Sequence, residues 1–264
     1  GRRYMNHSPV SVYILRQTEI DELMKFITLL SMHKAMDYIF SLPLYFVEHT
    51  EIPLNELAFC NDWQDFLRCL EKTDYSRVLS PFAPDESGCY NLTDIEDALE
   101  NYSLTELYTG INAIKNKKRR SELLTLFDTI SDYNNYSRII RMKKFYHMSA
   151  SEIKRHLLPH GSLASKRIDE VLAADDLDEM IARLEDTPTG RRVKKNKLSV
   201  TDRIATKSKY HLAKHNIYFS SDPQVVLLSF LILSNTELNN VIIAIEGVRY
   251  KLDQKAIGEM LIVS

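Results

Sequence analysis

Any chemistry in this chain would have to come from its histidines and carboxylates. His147, His156 and His160 are close in sequence, and His156 and His160 stand one helical turn apart. Zinc needs three or four ligands converging at about 2 Å. Pro159 and Gly161 break the helix that would align them, so these read as turn histidines. His211 and His215 share the same spacing on an expected helix, with no third ligand nearby. The acids Asp175, Asp176, Asp178 and Glu179 would suit acid–base work only as a pair whose environments drive their pKa values apart. Standing just before an apolar-periodic segment, they read better as a helix N-terminus, where the dipole favours negative charge. No GxxxxGK[ST], GxSxG or GxGxxG occurs, and His160-Gly-Ser-Leu163 is a turn rather than a nucleophile elbow. Cys60, Cys69 and Cys89 form no CxxC, which fits a reduced, cytoplasmic setting. The expectation is a protein without catalytic, cofactor or metal site.

Binding remains. Two basic clusters, 115–120 and 191–197, stand out. A net charge of −2 argues against a general nucleic-acid binder, and the clusters read as solvated linkers that an anionic membrane surface could also attract. The candidate partner-binding residues are Arg138, Arg141, Lys143 and Lys144, interleaved with the apolar positions of one helix. The competing assignment pairs Arg141 with Asp132 inside the fold. Trp63, Phe66, Phe145 and Tyr146 read as core rather than as stacking platforms.

The elements that would position these residues are helices. Seven glycines and eight prolines are few for 264 residues, and the apolar periodicity is near 3.6. Residues 11–15 are ambiguous between strand and helix; from Thr18, read as a cap, Ile20, Leu23, Met24, Ile27 and Leu30 follow a helical pattern. Asn61 or Asp62 caps a helix from Trp63 through Leu70. Helices are expected over 95–102, 104–114, 123–130 and 135–145. Ser149 with Glu152 is a capping-box pattern, and Pro159 and Gly161 close the short helix it opens. After Asp222-Pro223, residues 224–233 form a run apolar on nearly all sides, read as buried core. The run from Val225 to Leu233 is too short to span a bilayer, which takes about 20 residues.

The chain repeats itself. Asn134-Asn135, Ile140, Lys144 and Phe145 recur as Asn239-Asn240, Ile245, Arg249 and Tyr250 at a shift of 105. After a one-residue gap, Ile153 and Leu157 recur as Ile257 and Leu261. Residues 168–171, Asp176, Met180, Leu184 and Thr187 align with 54–57, Asp62, Phe66, Leu70 and Thr73 at a shift of 114. Such spacings suggest a few similar helical modules rather than a solenoid. The module boundaries read as 1–85, 86–193 and 194–264.

These repeats resemble the AC39 family of rotary V/A-type ATPase subunits, whose members go by the letters C and d. The family module runs Asp/Glu-x-x-Asn, an apolar helix ending Arg-x-Lys, a short helix, Leu-Pro-x-Gly-x-Leu, then Leu-x-x-Thr. Asp132, Asn135, Arg141, Lys143, Leu158, Pro159, Gly161, Leu163, Leu184 and Thr187 occupy those positions. Leu70, Thr73 and Tyr75 match the closing element earlier in the chain, and Glu237, Asn240, Ile245, Ile257 and Leu261 match the terminal module. The match covers about residues 50–262, with residues 1–50 matching poorly. Family members are usually longer, with three modules; by motif this chain lacks most of one, and Glu246 departs from the pattern.

The resemblance implies an all-α fold of repeated, pseudo-symmetric modules forming a C-shaped or funnel-like socket. It implies a non-catalytic central-stalk subunit that links the rotor shaft to the membrane c/K ring and transmits torque for proton or sodium transport. Partners would be the D/F-type shaft subunits and the ring, at the cytoplasmic face of the membrane, with peripheral membrane contact and with no cofactor, nucleic acid or small-molecule substrate. The alternative is a helical adaptor or regulator built from the same modules without a place in a rotary ATPase.

Overall fold

A computed structural model describes residues 8–163, 167–174, 176–195 and 203–262. Among these residues every regular element is helical, so the expected all-α class holds. The chain forms two compact units, Gly1–Ala113 and Ile114–Ser264.

The first unit is built on an antiparallel helix pair, α1 (Pro9–Ser31) and α6 (Leu92–Asn112). Gln17 Nε2 donates to Ser103 Oγ at 3.2 Å, and Arg16 pairs with Glu106 at 3.6 Å. Gly110 lets the helices touch, since a Cβ there would lie 3.0 Å from Pro9 Cβ. Between them run a 3-10 turn (Ala35–Ser41) and the short helices α2 (Leu44–Val47), α3 (Leu54–Leu57), α4 (Trp63–Cys69) and α5 (Asp74–Leu79). Leu23, Phe26, Ile27, Tyr38, Leu54, Phe66 and Leu70 fill the core.

The second unit opens with α7 (Lys117–Phe145), followed by the short helices α8 (Ala150–Arg155), α9 (Arg167–Leu172), α10 (Leu177–Glu185) and α11 (Pro188–Lys195). Tyr133, Tyr136, Ile139 and Ile140 of α7 are sealed by Leu163, Ile168, Val171, Met180 and Leu184. Then come α12 (Ile204–Phe219), α13 (Pro223–Arg249) and α14 (Gln254–Met260). Arg119 pairs with Asp222 at 2.7 Å, and Ser220 Oγ donates to Glu122, so α13 starts beside the start of α7.

Several expectations need correction. Helix α1 starts at Pro9, capped by Ser8, so residues 11–15 are helical. Thr18 is not a cap; its hydroxyl donates to the Ile14 carbonyl within the helix. The pairs 95–102 with 104–114 and 123–130 with 135–145 are each one helix, because no proline or glycine separates the members. The basic cluster 115–120 is largely the first turn of α7, held by Asn116 as N-cap. The cluster 191–197 is helical through Lys195, with Arg191 on the Asp186 carbonyl and Lys194 on Glu185; residues 196 and 197 lie outside the described residues. Phe145 and Tyr146 are 50% and 63% exposed rather than core, unlike Trp63 and Phe66, because the chain reverses just after them.

The largest correction is α13. The apolar run continues into a 27-residue helix that is long and apolar enough to cross a membrane by length and composition. It is not a buried core helix: only 17% of its most apolar window is covered. It outruns α12, which has 16 residues, and its second half projects beyond that partner.

Candidate functional site

Helices α1, α7 and α13 each carry a carboxylate near the middle and a polar residue three positions on. The pairs are Glu19 and Glu22 in α1, Asp132 and Asn135 in α7, and Glu237 and Asn240 in α13. That spacing puts both side chains on one helix face.

In α7 the pair is a clasp. Asp132 is 4% exposed. It accepts the Leu163 N–H at 2.8 Å, the Ser162 hydroxyl at 2.6 Å and the Thr189 hydroxyl at 3.2 Å. A buried carboxylate is tolerated when its lone pairs are filled in this way. Asn135 meets the Leu158 backbone on both sides, donating to its carbonyl at 3.0 Å and accepting its N–H at 2.8 Å. Gly161, at φ +91°, makes the intervening turn, and a Cβ there would stand 2.3 Å from Asp132 Oδ1. Burial pushes the Tyr136 hydroxyl, one turn along, up to about 12. Burial also lowers His160 below the ordinary histidine value, with Asp128 opposing.

In α1 the same device recurs with different residues. Glu19, 3% exposed, accepts the Thr50 hydroxyl at 2.6 Å, the Glu51 N–H at 3.1 Å and the Tyr75 hydroxyl at 2.7 Å. Burial first, then the Glu19 charge, raises the Tyr75 phenol. Both clasps therefore take a hydroxyl, the N–H of the next residue, and a second hydroxyl reached after two short helices. Those helices match too. Asp62 and Asp176 are N-caps, each accepting at 2.8 Å from the residue three on. Thr73 and Thr187 donate to the carbonyls of the buried Leu70 and Leu184.

The third copy is half made. Asn240 donates to the Ile262 carbonyl at 2.8 Å and accepts its N–H at 2.9 Å, repeating the Asn135 bond pair. Glu237 is exposed and meets no donor among the described residues. Helices α1, α7 and α13 each end at a reversal with positive φ, at His33, His147 and Lys251. Ser149 and Asp253 then cap α8 and α14, Ser149 in the expected capping box with Glu152.

The four candidate binding residues separate. Arg138 donates to the His156 carbonyl at 2.5 Å, tying α7 to the end of α8. Lys143 is half-buried, and Arg141 and Lys144 are exposed. The Lys144 ammonium lies 5.0 Å over the Phe145 ring. Arg141 does not pair with Asp132, whose donors come from other residues. Sequence reasoning missed the clasp role of Asp132 and missed Glu19 altogether. An acid inside an apolar stripe was the available signal.

The other candidates have local roles. His147 makes a reversal and His156 ends α8. His211 stacks edge-on with Tyr210, and His215 lies against Phe219. Asp176 caps α10, with Asp178 and Glu179 in its first turn, while Asp175 lies outside the described residues. Among the described residues, no three His, Cys, Asp or Glu side chains are grouped to hold a metal ion.

The chain matches the family described as ATP synthase (C/AC39) subunit over residues 2–260, so the likeness extends through the first fifty residues. It is similar to the C subunit of the A-type ATP synthase of Methanosarcina acetivorans, 26% identical over 225 residues. That alignment covers 82% of this chain and 59% of the relative. It is also similar to the C subunit of the A-type ATP synthase of Methanosphaera stadtmanae, 24% identical over 137 residues, 52% of this chain and 35% of the relative. The chain thus spans under two thirds of either relative. No solved structure gives a significant match.

Proposed function

The chain belongs to the ATP synthase (C/AC39) subunit family, and from that premise we propose that it is a non-catalytic central-stalk subunit of a rotary A/V-type ATPase. It links the rotor shaft to the membrane ring and passes torque between them, for proton or sodium transport. The observation that carries this reading is the family match along nearly the whole chain.

The clasps suit such a part. A torque-bearing element needs stiffness more than reactivity. Asp132 and Glu19 each fasten a pair of short helices across a long one through three charge-assisted hydrogen bonds. Bonds to a charged group contribute about 1.5–3 kcal/mol each, more than neutral ones. The proposed arrangement is three sequence modules, 1–85, 86–193 and 194–264, with pseudo-symmetry forming a C-shaped socket. D/F-type shaft subunits would enter it and the c/K ring would seat it at the cytoplasmic face of the membrane. Arg141, Lys143 and Lys144 are the proposed partner contacts, and Arg138 contributes by holding α8.

Membrane vesicles from cells lacking this chain provide the test. ATP-driven ion uptake should be lost while released heads still hydrolyse ATP. Undiminished uptake would contradict the coupling role.

A further inference from the structure

Two of the three cysteines meet inside the first unit. Cys60 follows α3, is 6% exposed and belongs to the core around Phe66 and Leu70. Cys69 is the last residue of α4 and packs half-buried against the same core. The path of the chain brings them together. Just after Cys60 the chain folds back over α4, where the Asn61 N–H donates to the Asp65 carboxylate at 3.3 Å. Cys69 stands one turn on from Asp65, on the same helix face. The Cys60 thiol has the Glu56 carbonyl at 3.6 Å, and it also shares a hydrogen bond with the Cys69 sulfur. That bond holds the proton on Cys60 and raises it, while it lowers Cys69 against the opposing effect of burial. Cys89 is exposed, in a separate turn where its N–H donates to Asp85 at 2.9 Å.

We infer that Cys69 and Cys60 form an oxidative modification site, at which a hydroperoxide converts the two thiols into one reversible intramolecular disulfide that pins α4. The thiolate is the species that attacks an oxidant, and reactivity needs access as well. Cys69, the partly exposed member, supplies both. Its sulfur attacks the peroxide O–O bond. One oxygen stays on sulfur as the sulfenic acid, and the other leaves as hydroxide and takes up a proton to become water. The Cys60 sulfur then attacks the Cys69 sulfur, and the sulfenic hydroxyl departs with the Cys60 proton as a second water. Two thiols thus lose two electrons, and the peroxide is reduced to two waters. Burial keeps Cys60 away from the oxidant and against its target. A small-molecule thiol reverses the step by exchange. The bridge closes a short loop around α4, whose Trp63 and Phe66 sit in the core. A cross-link of this kind restricts the unfolded chain and so favours the folded one. The inference is independent of the place of the chain in a rotary complex.

The test treats the reduced 264-residue protein with equimolar hydrogen peroxide and then blocks the remaining thiols with iodoacetamide in denaturant. Trypsin cuts after Arg68 and separates the two cysteines, so a bridge joins the peptides that hold Cys60 and Cys69. The expected product is that joined pair, lighter by two hydrogens than its reduced parts, with Cys89 alkylated. The bridged protein should melt several degrees above the reduced one, and dithiothreitol should reverse both changes. In Cys60→Ala the sulfenic acid on Cys69 should persist and be captured by dimedone, while Cys69→Ala should leave Cys60 a thiol. If either variant fails to fold, the peptide map and melting of the parent protein decide the matter alone. Oxidation of Cys89 ahead of Cys69 overturns the inference. So does a bridge between two molecules, a bridge that forms only in denaturant, or a bridged protein that melts no higher than the reduced one.

Discussion

At the scale of single residues, position within the repeat decides what a carboxylate is worth. Asp132→Ala takes the acceptor from the buried Leu163 N–H and the buried Thr189 hydroxyl. Each such group costs about 1–3 kcal/mol, so chemical denaturation should show a loss of at least about 2 kcal/mol. Glu237→Ala, at the equivalent position, should change stability by less than about 0.5 kcal/mol, since the side chain is exposed and touches no donor among the described residues. Equal losses would mean that the clasp contributes little. The basic residues separate in the same manner. Arg138→Ala should lower the melting temperature, because the His156 carbonyl loses its donor. Lys144→Glu, on an exposed side chain, should leave melting unchanged and weaken capture of shaft or ring subunits from membrane extracts. A Lys144→Glu protein that captures them as well as the parent would remove Lys144 from the interface.

At the scale of elements, helices α1, α7 and α13 share one exit. His33, His147 and Lys251 sit at φ 57°, 51° and 57°, where a side chain costs about 1–2 kcal/mol. Glycine removes that cost but adds freedom to the unfolded chain. His147→Gly and Lys251→Gly should therefore each stabilise by up to about 1 kcal/mol in thermal melts. A drop in either would mean that the side chain itself holds the turn. The loop that bears Gly161 also has a pH dependence. Burial lowers His160, so between its folded and ordinary values the unfolded chain takes up the proton more readily than the folded one. Stability should fall as the pH drops through the ordinary histidine range and level off below the lowered folded value. His160→Gln should flatten that part of the profile of melting temperature against pH, and an unaltered profile would assign the dependence to another group.

At the scale of the whole molecule, local grammar was legible and reach was not. The capping box at Ser149, a cap at Asn61 or Asp62, an acidic helix start at 175–179 and the Pro159–Gly161 stop are readable directly, because each is settled within a few residues; the structure then assigns the caps to Asp62 and Asp176. Helix lengths were underread: α7 and α13 run 29 and 27 residues through polar stretches that looked like breaks. Tertiary partners override such local weakness. The buried carboxylates escaped notice because their donors lie about thirty or more positions away and are uncharged. Apolarity of residues 224–233 suggests burial, yet composition does not say whether a covering element is present. The repeat, by contrast, was visible in sequence and returned as matching hydrogen bonds at Asn135 and Asn240. That coherence, with the family match over residues 2–260, makes the rotor role the central claim. The most direct test uses this chain as bait on native membranes, with the retained proteins identified by mass spectrometry. The account predicts recovery of A/V-type shaft and ring subunits together. Their absence from a preparation of cells that express the ATPase would contradict it.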